Sequence, residues 1–190
     1  MSLLQDAIEL AVKYHSEQFR KSKINGFKIP YISHCFEVMK LVYKWGCGTE
    51  INLAVCAIHD GIEDTELTEK ELIDKCGNEV YELVNELTFI PLRDIDRKTF
   101  KNEYLKSFKD KTINALIIKI ADRICNVNDF LLTDKKYAAE YFGKAYCLIE
   151  FLILRKEEII NRYNNNVLLN IFEDIEKIKK ELYSLCVNNF

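Results

Sequence analysis

The chain has 190 residues, 48% of them hydrophobic and 30% charged, which suits a single globular domain over 1–190 with a sizeable core and argues against disorder. A net charge of −3 gives no basic footprint of a dedicated nucleic-acid binder, so an anionic ligand must be held by local clusters such as Arg20/Lys21/Lys23/Lys28, Arg97/Lys98/Lys101 and Lys119/Arg123. There is no apolar run of the ~20 residues a membrane helix needs and no signal-peptide pattern, and seven scattered cysteines without a C-x-x-C pair fit reduced thiols, so the expected setting is the cytoplasm, away from membranes.

Two prolines and six glycines leave little punctuation, and apolar residues recur at helical spacing almost throughout; the predicted fold class is all-α, a helical bundle in which strands are improbable. Ser2 caps a first helix whose face is Leu4, Ile8, Ala11, Val12 and His15, running to about Arg20, and KSKINGFKI comes next as a loop. Pro30 suits the first turn of a second helix, about 30–45, that turns His34, Val38, Leu41, Val42 and Trp45 inward before WGCG. A third helix spans about 50–60, TEKE at 68–71 is a capping box for a fourth that ends near Gly77, and 79–87 is a fifth. FIPLRDIDR at 89–97 reads as a loop, and further helices fall at about 97–107, 110–129, 136–162 and 166–187. The core of the domain is then about 4–150, with closing helices over 136–187 and no room after 150 for a second catalytic region. The apolar faces of YCLIEFLIL and VLLNIFEDIEKI suit either burial within the chain or a homo-oligomer.

The segment AIHDGIEDT at 57–65 puts one of only three histidines beside an aspartate, with two more acids a helical turn on, at the end of an apolar run. On a helix His59/Glu63 and Asp60/Asp64 are i, i+4 pairs on adjacent strips, so all four can line one cleft. His59 and Asp60 offer mixed N/O ligation suited to a first-row divalent ion. His34 can add a second imidazole, and Asp122, inside the apolar ALIIKIADRICN, would cost several kcal/mol if buried unpaired. Together His34, His59, Asp60 and Asp122 form a His₂Asp₂ set that leaves coordination positions open for water and substrate. Glu63 and Asp64 then stand where they can accept a proton from an attacking water. The plainer alternatives are that Asp122 pairs with Lys119 or Arg123, that His15 is a packing histidine, and that Asn126 is a satisfied buried amide.

H…HD…D is also the ligand pattern of the HD-domain metal-dependent phosphohydrolases. HSEQFRK (15–21), PYISH (30–34), AIHDGIEDT (57–65), LVNELT (83–88) and KIADRICN (119–126) keep the order and approximate spacing of the RelA/SpoT-type (p)ppGpp hydrolase domain. Over about 4–150 the chain resembles its stand-alone form, the small alarmone hydrolases. The resemblance implies an HD-domain helical bundle in which His34, His59, Asp60 and Asp122 hold one metal, usually Mn²⁺, and Glu63 with Asp64 activates water. It places Arg20 on the nucleotide, with Lys21 or Lys98 adding charge, Asn126 near the ribose and Tyr141 on the substrate side; Tyr31 or Tyr141 would stack the base. The implied reaction releases pyrophosphate from the 3′ position of guanosine tetra- or pentaphosphate, giving GDP or GTP. Another nucleotide as substrate, or a non-catalytic alarmone-binding module, are the alternatives. The chain departs from the pattern at Gly61-Ile62, where Thr-Val is usual and a looser turn is expected, at Asn128, where arginine is usual, and in a longer 21–30 loop.

Overall fold

A computed structural model describes residues 2–24, 26–89 and 96–187. Helix α1 (Leu3–Tyr14) opens on a complete capping box: the Ser2 hydroxyl accepts from the Gln5 backbone N–H, and the Gln5 side chain accepts from the Ser2 N–H. It buries Ala7, Leu10 and Ala11 and ends at His15, well short of Arg20. The next segment is strand rather than loop. Strands β1 (Phe19–Ile24) and β2 (Phe27–Pro30) pair antiparallel, with Ile24 opposite Phe27, Lys23 opposite Lys28 and Phe19 opposite Pro30, and an irregularity between Phe19 and Lys23. This corrects the expectation of no strands. The overlooked signal is Asn-Gly at 25–26 between two extended-favouring runs, the strongest short-range hairpin pattern; Gly26 sits at φ +84°. Pro30 therefore closes β2 instead of opening a helix.

Helix α2 (Ile32–Lys44) buries His34, Cys35, Val38 and Val42. Helix α3 (Glu50–Ile58), capped by the Thr49 hydroxyl on the Asn52 N–H, is buried from Ala54 to Ile58. It stops before the acids: His59 and Asp60 form a corner that leads into a separate short helix, α4 (Gly61–Asp64). Helices α5 (Glu69–Cys76, with the Thr68 hydroxyl accepting from the Glu71 N–H), α6 (Asn78–Leu87) and α7 (Arg97–Ser107) come next. Of the expected 89–97 loop, residues 90–95 lie outside the described residues, as do the side chains of Lys23, Arg97 and Lys98.

Helix α8 (Ile113–Leu131) is the axis of the fold, buried without interruption from Ile113 to Cys125. Helices α2, α3 and α6 pack on it. The helix expected over 136–162 is three: α9 (Lys135–Lys144), α10 (Tyr146–Leu154) and α11 (Lys156–Arg162), parted at Ala145 (φ −90°, ψ 2°) and Arg155 (φ −103°, ψ 20°). YCLIEFLIL is apolar on nearly every side, and the two turns aim Leu148, Ile149 and Leu152 at the core while leaving Ile153 and Leu154 exposed. Helix α12 (Asn165–Val187) closes the bundle, its Asp174 accepting from Trp45 Nε1 at 2.7 Å and from Lys44 Nζ at 2.6 Å. The fold is all-α apart from the one small ribbon. Among the described residues no helix is long and apolar enough to cross a membrane.

Candidate metal centre

Four side chains from two helices and a corner meet at one point. His34 comes from the first turn of α2, His59 and Asp60 from the corner after α3, and Asp122 from the middle of α8. Donor atoms of His34, His59 and Asp60 lie within 4.8 Å of one another. His34 Nε2 stands 3.3 Å from Asp122 Oδ1 and 3.9 Å from Asp60 Oδ2, and His59 Nε2 stands 3.0 Å from Asp60 Oδ2 and 4.0 Å from Asp122 Oδ1. His59 Nδ1 faces the Cys56 carbonyl at 2.9 Å, which makes that nitrogen the donor and leaves Nε2 as the free one. His59 Nε2 and both ring nitrogens of His34 are buried without a hydrogen bond, although carboxylate oxygens are close. Such atoms are seldom left so in a folded protein. Two imidazole nitrogens without a hydrogen bond, drawn together with two carboxylates, are a donor set fit for a divalent cation.

Each carboxylate is also held by neighbouring side chains. The Tyr31 hydroxyl donates to Asp60 Oδ2 at 2.5 Å, Asn126 Nδ2 donates to Asp122 Oδ1 at 2.5 Å, and Lys119 Nζ pairs with Asp122 Oδ2 at 3.0 Å. The plainer partner foreseen for Asp122, Lys119, is thus present alongside the two histidines. Burial pushes both aspartates up, but the opposing charges outweigh it: His59 keeps the Asp60 carboxyl, and Lys119 the Asp122 carboxyl, well below the ordinary carboxylate range. Burial would likewise lower His59, yet the adjacent Asp60 charge carries its pKa up to about 9 in the metal-free protein.

Glu63 and Asp64 open onto a cleft of about 700 Å³ shared with Lys13, Tyr14, Glu17 and Gln18. The corner at 59–60 means that the two i, i+4 pairs do not lie on one continuous helix, though the Asp64 N–H still donates to the Asp60 carbonyl at 2.9 Å. Glu63 Oε2 accepts from the Phe89 N–H at 2.8 Å. Desolvation in this rim, reinforced by the Asp60 charge, raises both carboxyl pKa values while leaving the groups reachable from solvent. At Gly61, where a looser turn is expected from the departure from Thr, the backbone is closely packed. It is buried, and a Cβ there would meet Ile58 Cδ1 and Leu67 Cδ2 at 2.8 Å. His15 is a packing histidine that also serves the rim: it stacks on Tyr31 at 4.9 Å and bonds Gln18, whose Nε2 donates to the Asp64 carbonyl at 2.7 Å.

The ribbon delivers Arg20 to α8, where its Nη2 donates to Asn126 Oδ1 at 2.8 Å and pairs with Asp129 at 3.0 Å. A second cavity of about 490 Å³ lies beside it, between α2 and the end of α8. Lys21 is exposed on β1, with no hydrogen bond or ion pair among the described residues, so the fold does not draw it to the others. Tyr141, on α9, lies under the Arg123 guanidinium at 4.5 Å and against Phe130. Tyr31, foreseen as a stacking surface for a base, has its ring on His15 and its hydroxyl on Asp60. Gln18 and Asp129 were not singled out from the sequence. Asp129 was accessible, since it stands at i+7 from Asp122 and i+3 from Asn126 on the same helix face.

A family model described as HD domain matches residues 7–143. The chain is 29% identical over 152 residues to a probable guanosine-3′,5′-bis(diphosphate) 3′-pyrophosphohydrolase of Mycoplasma pneumoniae, covering 72% of this chain and 19% of that protein. It is 29% identical over 130 residues to a guanosine-3′,5′-bis(diphosphate) 3′-pyrophosphohydrolase of Xenopus tropicalis, covering 67% of this chain and 69% of that one. It therefore spans about a fifth of the first relative and just over two thirds of the second. A solved structure described as a metazoan ortholog of SpoT that hydrolyzes ppGpp is similar in fold, with a TM-score of 0.73 over 93% of this chain and 96% of that chain at 22% identity.

Proposed function

The chain belongs to the HD domain family, and from that premise we propose that it is a metal-dependent phosphohydrolase that removes the 3′-pyrophosphate of guanosine tetra- or pentaphosphate, leaving GDP or GTP. The single observation that carries the reading is the convergence of His34, His59, Asp60 and Asp122 with three buried ring nitrogens unsatisfied. The activity named for the similar proteins of Mycoplasma pneumoniae and Xenopus tropicalis supports the choice of substrate.

The family implies a divalent metal, and these four residues would hold it; of the ions an N/O set accepts, we assign Mn²⁺. Bound there, the cation would lower the pKa of water and offset charge developing on the phosphoryl oxygens. Tyr31, Asn126 and Lys119 keep the two carboxylates aimed through their hydrogen bonds and ion pair. Of the Glu63 and Asp64 pair, one carboxylate takes the proton of the attacking water while the other orients it, and pKa values raised by desolvation suit a general base. The water oxygen joins the phosphorus bound to the 3′ oxygen, the bond between those two atoms breaks, and the nucleoside retains a 3′-hydroxyl. Arg20, braced by Asn126 and Asp129, faces the nucleoside, and Tyr141 is assigned to the substrate side. We place the protein in the cytoplasm, in keeping with free thiols at Cys35, Cys47, Cys56, Cys76, Cys125 and Cys147.

The test is incubation of the purified protein with ppGpp, with and without Mn²⁺, beside a panel of other nucleotides. The expected result is Mn²⁺-dependent release of GDP and pyrophosphate in equal amounts. Release of orthophosphate, or turnover of another nucleotide in place of ppGpp, would overturn the reading.

A further inference from the structure

The polar residues in the middle of α8 share one stripe. Lys119, Asp122, Arg123 and Asn126 stand at i, i+3, i+4 and i+7, which puts all four on the face that carries the candidate metal centre. Three of them are matched: Lys119 with Asp122, Asp122 with His34, and Asn126 with both Asp122 and Arg20. Arg123 is not. It is only 5% exposed, its Nε has no hydrogen-bond partner, and no carboxylate lies within ion-pair distance of its guanidinium among the described residues. Its guanidinium carbon lies 4.5 Å from the centre of the Tyr141 ring, and its side chain also borders a small apolar pocket with Phe142, Leu148, Ile149 and Ile175.

A buried guanidinium without an anion is unfavourable, and the fold keeps it on the stripe that faces the chemistry. Its planar fork of donors fits two oxygens of a phosphate, and an aromatic face beneath holds the plane in one orientation. Arg20 is already engaged with Asn126 and Asp129 on the ribbon side, so the two arginines are set for different parts of a ligand. We propose that Arg123, on its Tyr141 platform, binds the pyrophosphate group of the substrate and holds it as the leaving pyrophosphate after cleavage. This rests on the reading that a 3′-pyrophosphate is what the enzyme removes.

The experiment compares wild type, Arg123→Gln and Arg123→Lys, all with saturating Mn²⁺, for KM toward ppGpp, inhibition by inorganic pyrophosphate, and bound Mn²⁺. Arg123→Gln should raise both KM and the pyrophosphate inhibition constant about tenfold or more, the size of a lost charge-assisted contact. Its Mn²⁺ content should match wild type, and Arg123→Lys should recover part of the pyrophosphate binding. A folded Arg123→Gln with the wild-type inhibition constant overturns the proposal. Should that variant fail to fold, phenylglyoxal modification of the wild-type protein, read by peptide mass spectrometry, decides: pyrophosphate should slow modification at Arg123, and an unchanged rate overturns the proposal. A wild type that turns over ppGpp while either readout fails loses only the role of Arg123; one that does not turn over ppGpp defeats the proposed function and this inference with it.

Discussion

Tyr31 shows how much one hydroxyl can govern. Its ring is fixed by His15 and its oxygen by Asp60, so it orients a proposed metal ligand without touching the metal. Tyr31→Phe keeps the ring packing and removes only the donor. Affinity for Mn²⁺ should then fall about tenfold or more, with little change in thermal stability, as measured by metal titration and by melting. His59 makes a separate prediction. With its pKa near 9 in the metal-free protein it is protonated at pH 7.5, and a metal takes only the neutral ring. Binding must release that proton, so apparent affinity should strengthen as pH rises toward about 9; calorimetry in buffers of different ionisation heat should find about one proton released at pH 7.5. Zero release would contradict it. His34, His59, Asp60 and Asp122 were legible as a set because carboxylates and imidazoles in apolar runs need partners. The duties of Tyr31 and Gln18 were not, because they depend on where the ribbon ends and how α4 turns.

Two of the helix interruptions, the ribbon after α1 and the corner after α3, carry the site. Periodicity alone extends α1 to about Arg20 and joins α9 to α11, because it registers burial on a face and not a change of direction. The ribbon was within reach of the sequence, through Asn25-Gly26, and it is the device that brings Arg20 to α8. Gly61 is closely packed just after the corner at 59–60. Replacing Gly61 by Ala should gain roughly 0.5–1 kcal/mol by restricting the unfolded chain, but the new methyl presses on Ile58 and Leu67, and overpacking of that kind costs about 1–3 kcal/mol. The expected net is a loss of about 1 kcal/mol in urea unfolding; an unchanged or higher midpoint would show that Ile58 and Leu67 give way freely.

Helix α8 ties the molecule together, since the face that carries Asp122 and Asn126 belongs to the same rod whose other faces form the core. The last helix is tied to the end of α2 through a polar anchor, the Trp45 indole N–H on Asp174. We propose that the chain unfolds as one unit, and Trp45 fluorescence and far-UV circular dichroism should report coincident urea transitions. Asp174→Ala strands a buried donor and should lower stability by about 1–3 kcal/mol in both signals alike. Two separated transitions would mean that the closing helices form a unit of their own.

Everything proposed for the chemistry rests on one cation held between α2, the 59–60 corner and α8. The measurement that bears on it most directly is bound Mn²⁺ per chain, by elemental analysis after dialysis, for wild type, Asp122→Asn and Glu63→Gln, with the rate on ppGpp taken in parallel. The expected result is about one ion in wild type and in Glu63→Gln, the latter with its rate down about a hundredfold or more, and little or no metal in Asp122→Asn. An Asp122→Asn protein that binds Mn²⁺ as tightly as wild type would contradict the account.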